Sequence, residues 1–445
     1  MDVPRTAVVS VLVALLAAGH AAHAIGTKHA AHPLARLQHL VVIDLENHSF
    51  DNLYGEFPGA DGFVSAKHLA PQVDADGHVY ATLPVAKGSP VPEGLPNAPF
   101  CIEPYATSSQ KIPDLSHALD DERLQIDGGK MDKFVAYNTT RAQAVSYYHT
   151  MALPLAQLAK QYTLCDRFFH DAIGGSMLSH VWLVAARGAR WPDAPDSVRI
   201  RHDASGRQTH GGYVTEDGWV VGTCQSRLGP HAKNIPDSLL VPGQDFDTIG
   251  DRLSARGISW AWYAEGWNDA VAGKEGTTFQ YHHHPFLFFN RYGPGTAARA
   301  EHLLDGGDFL RAARGGTLPA VAFYKPIGRH NEHPGYADVL SGEQHALEIV
   351  RAVMASPQWD STAIVITYDE HGGFWDHVAP PVIDRWGPGT RIPTMVIAPF
   401  ARRGYVDHAT YDGASILALI EKRWGLAPLT SRDSTSAPLL GAFDF

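Results

Sequence analysis

Four stretches carry side chains whose types and spacing can do chemistry. The first is Glu46-Asn47-His48-Ser49-Phe50-Asp51-Asn52. A carboxylate and an amide oxygen at the end of an apolar run can hold a hard or borderline divalent cation. The same string also reads as a strand-to-turn junction in which Asn and Ser bond the backbone. The second is Tyr368-Asp369-Glu370-His371-Gly372-Gly373-Phe374-Trp375-Asp376-His377. Two adjacent carboxylates repel unless a cation lies between them, and paired glycines allow a tight turn beside it; a solvated loop is the alternative. The third is Gly174-Gly175-Ser176-Met177-Leu178-Ser179-His180. A hydroxyl in a glycine turn at a helix start suits a nucleophile, and helix amides there can hold a phosphoryl group. A plain serine N-cap gives the same string. The fourth is a histidine set: His282-His283-His284, with His117 and His333 in polar loops. Converging imidazoles can hold phosphate oxygens as imidazolium donors, and one can protonate a leaving group. Three consecutive histidines cannot all face one site, so at most two of His282, His283 and His284 do so.

These side chains need rigid elements behind them. Apolar runs at Leu40–Leu45, Leu318–Tyr324, Ala363–Tyr368 and Thr394–Ala398 read as buried strands of a mainly parallel sheet. Gln344–Met354 has helical spacing, and Ser415–Trp424 reads as an amphipathic helix. Alternating strands and helices predict an α/β sandwich, whose ligand sites gather beyond strand carboxyl ends. Asn47 and the carboxylates follow the strands directly. Residues 65–113 and 187–243 are irregular and rich in Gly and Pro, and are expected to be insertions forming a cap.

The 445 residues are 44% hydrophobic, with a net charge of −11. An acidic chain with no basic run is a poor partner for nucleic acid. The 25 histidines are the compositional anomaly. Arg5, an apolar stretch over residues 7–19 and Ala22-His23-Ala24 have the form of a secretory signal cleaved after Ala24, which predicts export to a periplasm or the medium. No other stretch is apolar enough for stable membrane insertion. Of Cys101, Cys165 and Cys224, one pair can bridge in an oxidising compartment, leaving one free.

Taken together the strings resemble the bacterial phosphoesterase family of acid phosphatases and phosphatidylcholine-type phospholipases C, within the alkaline phosphatase and sulfatase superfamily. The matching strings run from Glu46–Gly55 through Gly128-Gly129-Lys130-Met131-Asp132, Leu153–His180, Tyr281–Phe286, Asn331–Gly335 and Asp369–Pro380 to Ala398–Gly404. The resemblance implies an alkaline-phosphatase-like three-layer α/β/α fold and a single catalytic domain over residues 25–445. It implies one divalent metal held by Glu46, Asn47, Ser176, Asp369 and Glu370, with Ser176 the nucleophile. His117, His282, His283 and His333 fall on catalytic positions that contact the phosphoryl or leaving group. Asn47 and His180 join His117, His283 and His333 in holding substrate. His284 stands where the family usually has glutamine, and Ser179 where it has asparagine.

The oxygen-rich donors suit Mg, Ca or Mn, with zinc and iron also open. The expected reaction is attack of Ser176 on a small-molecule phosphate ester through a phosphoserine, fastest on the acidic side of neutral if the histidines bind as imidazolium. An acid phosphatase is favoured over a phospholipase C, because the haemolytic phospholipases of the family are longer and carry a twin-arginine signal.

Overall fold

The longest apolar runs become fully buried strands. In this computed structural model, which describes residues 33–204 and 206–445 as well as Met1, β1 spans His39–Leu45. The signal segment expected over residues 1–24 falls, but for Met1, outside the described residues. The other strands of the main sheet are β2 Thr163–Cys165, β3 Trp260–Ala264, β4 Leu303–Asp305, β5 Val321–Lys325, β6 Thr362–Tyr368, β7 Thr394–Ile397 and β8 Tyr405–Asp407. Their order is β8-β2-β7-β6-β1-β5-β3-β4. All run parallel except β7, which is antiparallel to both neighbours. The mainly parallel α/β sheet read from the sequence is therefore present. Every residue of β3, β5 and β6 is buried, as expected for a sheet covered on both faces.

Register places the chemistry. Leu45 of β1 pairs with Tyr368 of β6, and Ile43 pairs with Tyr324 of β5. The residues after β1 and β6, and Lys325 at the end of β5, therefore emerge side by side.

Helices flank the sheet in two groups. α1 (Phe50–Tyr54) follows β1, α2 (Leu119–Ile126) lies farther along, and α3 (Ser176–Ala185) packs with α5 (Ala414–Trp424). α4 (Val339–Met354) packs with the helix Gly306–Gly315. α4 begins five residues earlier than the sequence pattern indicates. Asp338 caps it by accepting from Ser341 N at 2.9 Å. Gly342 breaks the apolar period because Glu332 occupies its side: a Cβ there would lie 2.2 Å from Glu332 Cγ. Regular structure is sparse over residues 65–113 and 187–243, limited to short strands and single 3-10 turns. All three cysteines are unpaired.

A buried cation ties the loops together. Arg391 is fully buried and donates to Asp376 Oδ1 at 2.9 Å, to the carbonyls of Asp61 and Asp166 at 2.7 Å each, and to Asp51 Oδ1 at 3.3 Å. Arg391→Met would leave buried carboxylates without their partner, and is expected to cost about 3–5 kcal/mol in urea denaturation.

A second buried pair sets a pH dependence. Burial and the neighbouring Glu343 push Glu332 well above the usual range, and burial lifts Glu343 to about 8. The folded state thus favours the protonated Glu343. That stability is full below its unfolded value of 4.5 and is lost as pH rises through about 8. Glu343→Gln should flatten the fall in stability between about pH 5 and about pH 8.5, read by denaturant midpoints.

Candidate active site

Three carboxylates meet where β1 and β6 end. Glu46 follows β1, and Asp369 and Glu370 follow β6; all three are buried. Asp369 N donates to Leu45 O at 3.1 Å, and Asn47 N donates to Asp369 Oδ1 at 3.1 Å. Burial, then the facing Glu46, raises Asp369 well above the carboxylate range; burial, then Asp369, does the same to Glu370. Glu46 behaves oppositely. Burial opposes its charge, but His283, Lys325 and His180 outweigh it and hold Glu46 well below the usual value.

The local backbone is built for this approach. Asn47 has φ 62, a left-handed conformation that Asn tolerates better than most residues. Gly372, at φ +64, lies against it: a Cβ would sit 2.2 Å from Asn47 O. At Gly373 a Cβ would sit 2.5 Å from Ser116 O. The glycine pair lets the loop close on Asn47 and Ser116. The hydrogen-bonded turn also forms: Ser49 caps α1 by accepting from Asn52 N at 3.2 Å, and His48 bonds Asn52 Oδ1 at 2.6 Å.

Ser176 is the first residue of α3. It follows Gly174-Gly175, and the φ of +136 at Gly174 suits glycine alone. Its hydroxyl donates toward Asn47 Oδ1 at 3.3 Å and Glu370 Oε1 at 3.4 Å. Asn47 is the junction: Oδ1 faces Ser176, and Nδ2 donates to His333 Nε2 at 3.1 Å. His333 Nδ1 donates to the Pro334 carbonyl at 2.5 Å, so both nitrogens of His333 are engaged within the protein. The structure thus brings Glu46, Asn47, Ser176, Asp369, Glu370, His117, His283 and His333 together, with His282 beside His283.

The histidines sort by environment. His117 Nε2 lies 3.7 Å from Glu370 Oε1, and its side chain is 17% exposed. His283 Nδ1 lies 3.4 Å from Glu46 Oε1, and His282 packs edge-on against His283. His284 turns away, between Trp262 and Trp267. His180 lies one turn into α3 with its side chain fully buried; Nδ1 donates to the Ser176 carbonyl, and Nε2 is 3.2 Å from both Asp44 and Glu46. Burial and Lys325 oppose its charge, but Asp44 and Glu46 carry it up to about 9. His180 is thus enclosed beside Asp44 and Glu46, with no exposed side-chain surface.

The expectation of waiting imidazolium donors is corrected by burial. Burial takes His282 down to about 3, drives His283 well below its ordinary value and lowers His117. Burial therefore works against the imidazolium form at these three positions.

Two residues that sequence reasoning passed over complete the cluster. Lys325 Nζ lies 2.5 Å from Glu46 Oε1 and 2.9 Å from Asp44 Oδ2, fully buried at the end of β5. A lysine ending an apolar strand beside the carboxylate strands was the available signal. Asp44, inside β1, was hidden because it reads as an interruption of the run.

The cluster accepts a cation. Glu46 Oε2 and Asp369 Oδ2 are buried without a hydrogen-bond partner. Glu46, His180 and Asp369 have ligand atoms within 4.8 Å of one another. Buried carboxylate oxygens in this state fit a divalent ion.

A hydroxyl at a helix start, facing clustered carboxylates at the ends of parallel strands, is the equipment of an ester hydrolase with an anionic substrate. The sequence model of the Phosphoesterase family matches residues 37–427. The chain belongs to that family. It is 25% identical to a non-hemolytic phospholipase C of Pseudomonas aeruginosa, over 93% of this chain and 58% of the relative. A non-hemolytic phospholipase C of Burkholderia pseudomallei is 27% identical, over 87% of this chain and 55% of the relative. Phospholipase C A of Mycobacterium tuberculosis is 24% identical, over 93% and 78%. The chain spans a little over half the length of the first two. Among solved structures, a Vibrio parahaemolyticus protein of the alkaline phosphatase superfamily aligns with a TM-score of 0.35 at 12% identity, covering 63% of each chain.

Gly372→Ala adds a side chain that meets Asn47 O, whereas Gly77, at φ +90, has open space around it. Both substitutions strain the backbone by about 1–3 kcal/mol. The Gly372 variant alone is expected to lose more than about tenfold in turnover (about 1.4 kcal/mol), measured beside Gly77→Ala as the control.

Proposed function

We propose that the chain cleaves phosphate esters with Ser176 as nucleophile, and that its preferred substrates are phosphodiesters of the phospholipid head-group kind. The observation that carries the nucleophile is the Ser176 hydroxyl held between Asn47 Oδ1 and Glu370 Oε1. Glu46, Asn47, Ser176, Asp369 and Glu370 would hold one divalent cation, of which Mg, Ca or Mn suits the oxygen donors best. Bound there, such an ion supplies Lewis-acid charge to the serine and phosphoryl oxygens.

The chain's own residues then divide the work. The Ser176 hydroxyl points its hydrogen at Asn47 and Glu370, which leaves an oxygen lone pair for phosphorus. As the Oγ–P bond forms, the proton passes to Glu370 Oε1 and the ester P–O bond breaks. From there the proton passes to His117 Nε2, beside the same carboxylate oxygen, and the imidazolium so formed delivers it to the leaving alkoxide. Water then cleaves the phosphoserine and regenerates the hydroxyl. His282 and His283 line the cluster as neutral rings. His333 positions Asn47, and His180 and Lys325 fix Glu46.

The diester reading is favoured over the monoester reading because the relatives matched over most of this chain are named phospholipases C. Neutral rings also favour a singly charged phosphate. Among the described residues no helix is long and apolar enough to cross a membrane. Export after cleavage at Ala24 belongs to the same proposal.

Ser176→Ala should lower turnover by a factor on the order of 10⁴ or more, with an unchanged circular dichroism spectrum; retained turnover removes Ser176 as nucleophile. A chelator should abolish activity, and a divalent ion should restore it. In parallel assays, p-nitrophenylphosphorylcholine should be cleaved with a higher kcat/KM than p-nitrophenyl phosphate, by about tenfold or more. The opposite order returns the chain to the acid phosphatase reading.

A further inference from the structure

Behind the nucleophile turn lies a second cluster that the proposed reaction does not use. Glu122 of α2, His170 and His371 are all fully buried in their side chains. His170 Nε2 is 2.7 Å from Glu122 Oε1, and His371 Nε2 is 3.7 Å from the same oxygen. The two rings stack at 5.7 Å and 12°. The three ligand atoms lie within 4.8 Å of one another.

Two features call for a cation here. Glu122 is a buried carboxylate, and among the described residues these two imidazoles are its only ion-pair partners within 4 Å. A buried charge needs a counter-charge. His371 Nδ1 also donates to the Phe374 carbonyl at 3.1 Å, which leaves Nε2 as a bare lone pair aimed at a carboxylate. Nε2 has no hydrogen-bond partner. A carboxylate oxygen and a bare imidazole nitrogen facing each other in a dry interior repel unless a proton or a metal cation lies between them. A ring whose far nitrogen is held by a carbonyl is also the usual arrangement of a metal-bound histidine.

We propose that Glu122, His170 and His371 form a structural zinc site distinct from the carboxylate cluster at Ser176. Two imidazole nitrogens and one carboxylate oxygen are a zinc donor set, with bonds of about 2.0–2.2 Å. Donors on a tetrahedral ion stand about 3.3 Å apart, and the observed 2.7 and 3.7 Å straddle that spacing. Thr390 closes one side, donating to Glu122 Oε1 from N at 3.0 Å and Oγ1 at 3.1 Å. Gly389 is required beside it, because a Cβ would lie 2.1 Å from His170 Nε2. The site joins three segments that carry the reaction's groups. Glu122 Oε2 accepts from Gly174 N at 2.9 Å, two residues before Ser176. His371 directly follows Glu370. The ion would lock the nucleophile turn to the carboxylate loop without touching substrate.

The test is zinc retention by the full chain. Wild-type protein, Asp369→Asn, His170→Gln and His371→Asn are stripped with a chelator, reloaded with zinc and dialysed, and zinc per chain is measured. Wild type and Asp369→Asn are expected to keep about one equivalent that both histidine variants lose. The zinc X-ray absorption spectrum of Asp369→Asn is expected to show imidazole scattering from two rings. Equal zinc in wild type and both histidine variants, or no zinc retained by wild type, overturns the site. If the histidine variants do not fold, an all-oxygen shell in that spectrum overturns it. Loss of the Ser176 reading alone would leave the zinc result unchanged.

Discussion

The repulsion among carboxylates at adjacent strand ends is the constraint around which this molecule is arranged. The pairing of Leu45 with Tyr368 brings Glu46, Asp369 and Glu370 into one buried space. Left alone they could not all ionise. Lys325 from β5 and His180 from α3 meet Glu46 and Asp44. The Ser176 hydroxyl meets Glu370, and the Asn47 amide N–H meets Asp369. The left-handed turn at Asn47 and the glycine pair at 372–373 follow from the same need, since the loop must close tightly over the charge.

Much of this was legible in the sequence because β1 and β6 are long and mainly apolar. β1 and β6 announce themselves as continuous runs, and the groups that follow them are the site. The turn before Ser176 was legible from Gly174-Gly175-Ser176, where Gly174 has a φ of +136. The rest was hidden for physical reasons. β2, β4 and β8 have three residues each, too few for periodicity to speak. The antiparallel direction of β7 depends on its neighbours, which no local pattern encodes. Glu122 reads as one charge on an acidic helix, and only the tertiary fold delivers it to Gly174, 52 positions away.

The histidine excess divides differently from what composition suggests. Histidine in a phosphate-binding protein invites an imidazolium reading. Here burial works against the charged form of His282 and His283. Among the site rings described, His180 is the one carried up, to about 9, because Asp44 and Glu46 flank it. Charge on an imidazole is thus set by its carboxylate neighbours, not by nearness to the place where phosphate would bind.

That distribution bears on the choice between a singly and a doubly charged substrate. Asp44, Glu46, Asp369 and Glu370 supply four negative charges when all are ionised. Lys325 and the imidazolium of His180 offset two. A divalent cation offsets the remaining two, so the loaded cluster is electrically neutral. Such a cluster holds no spare positive charge for a dianion. Each added substrate charge would have to be held by neutral N–H donors and the dipoles of the α3 amides, which bind a monoanion far more cheaply than a dianion in a dry site. A phosphodiester carries one charge and a monoester near neutrality close to two. Under the proposed metal-loaded reading, this charge balance is a reason for a phosphodiester substrate separate from the names of the matched relatives.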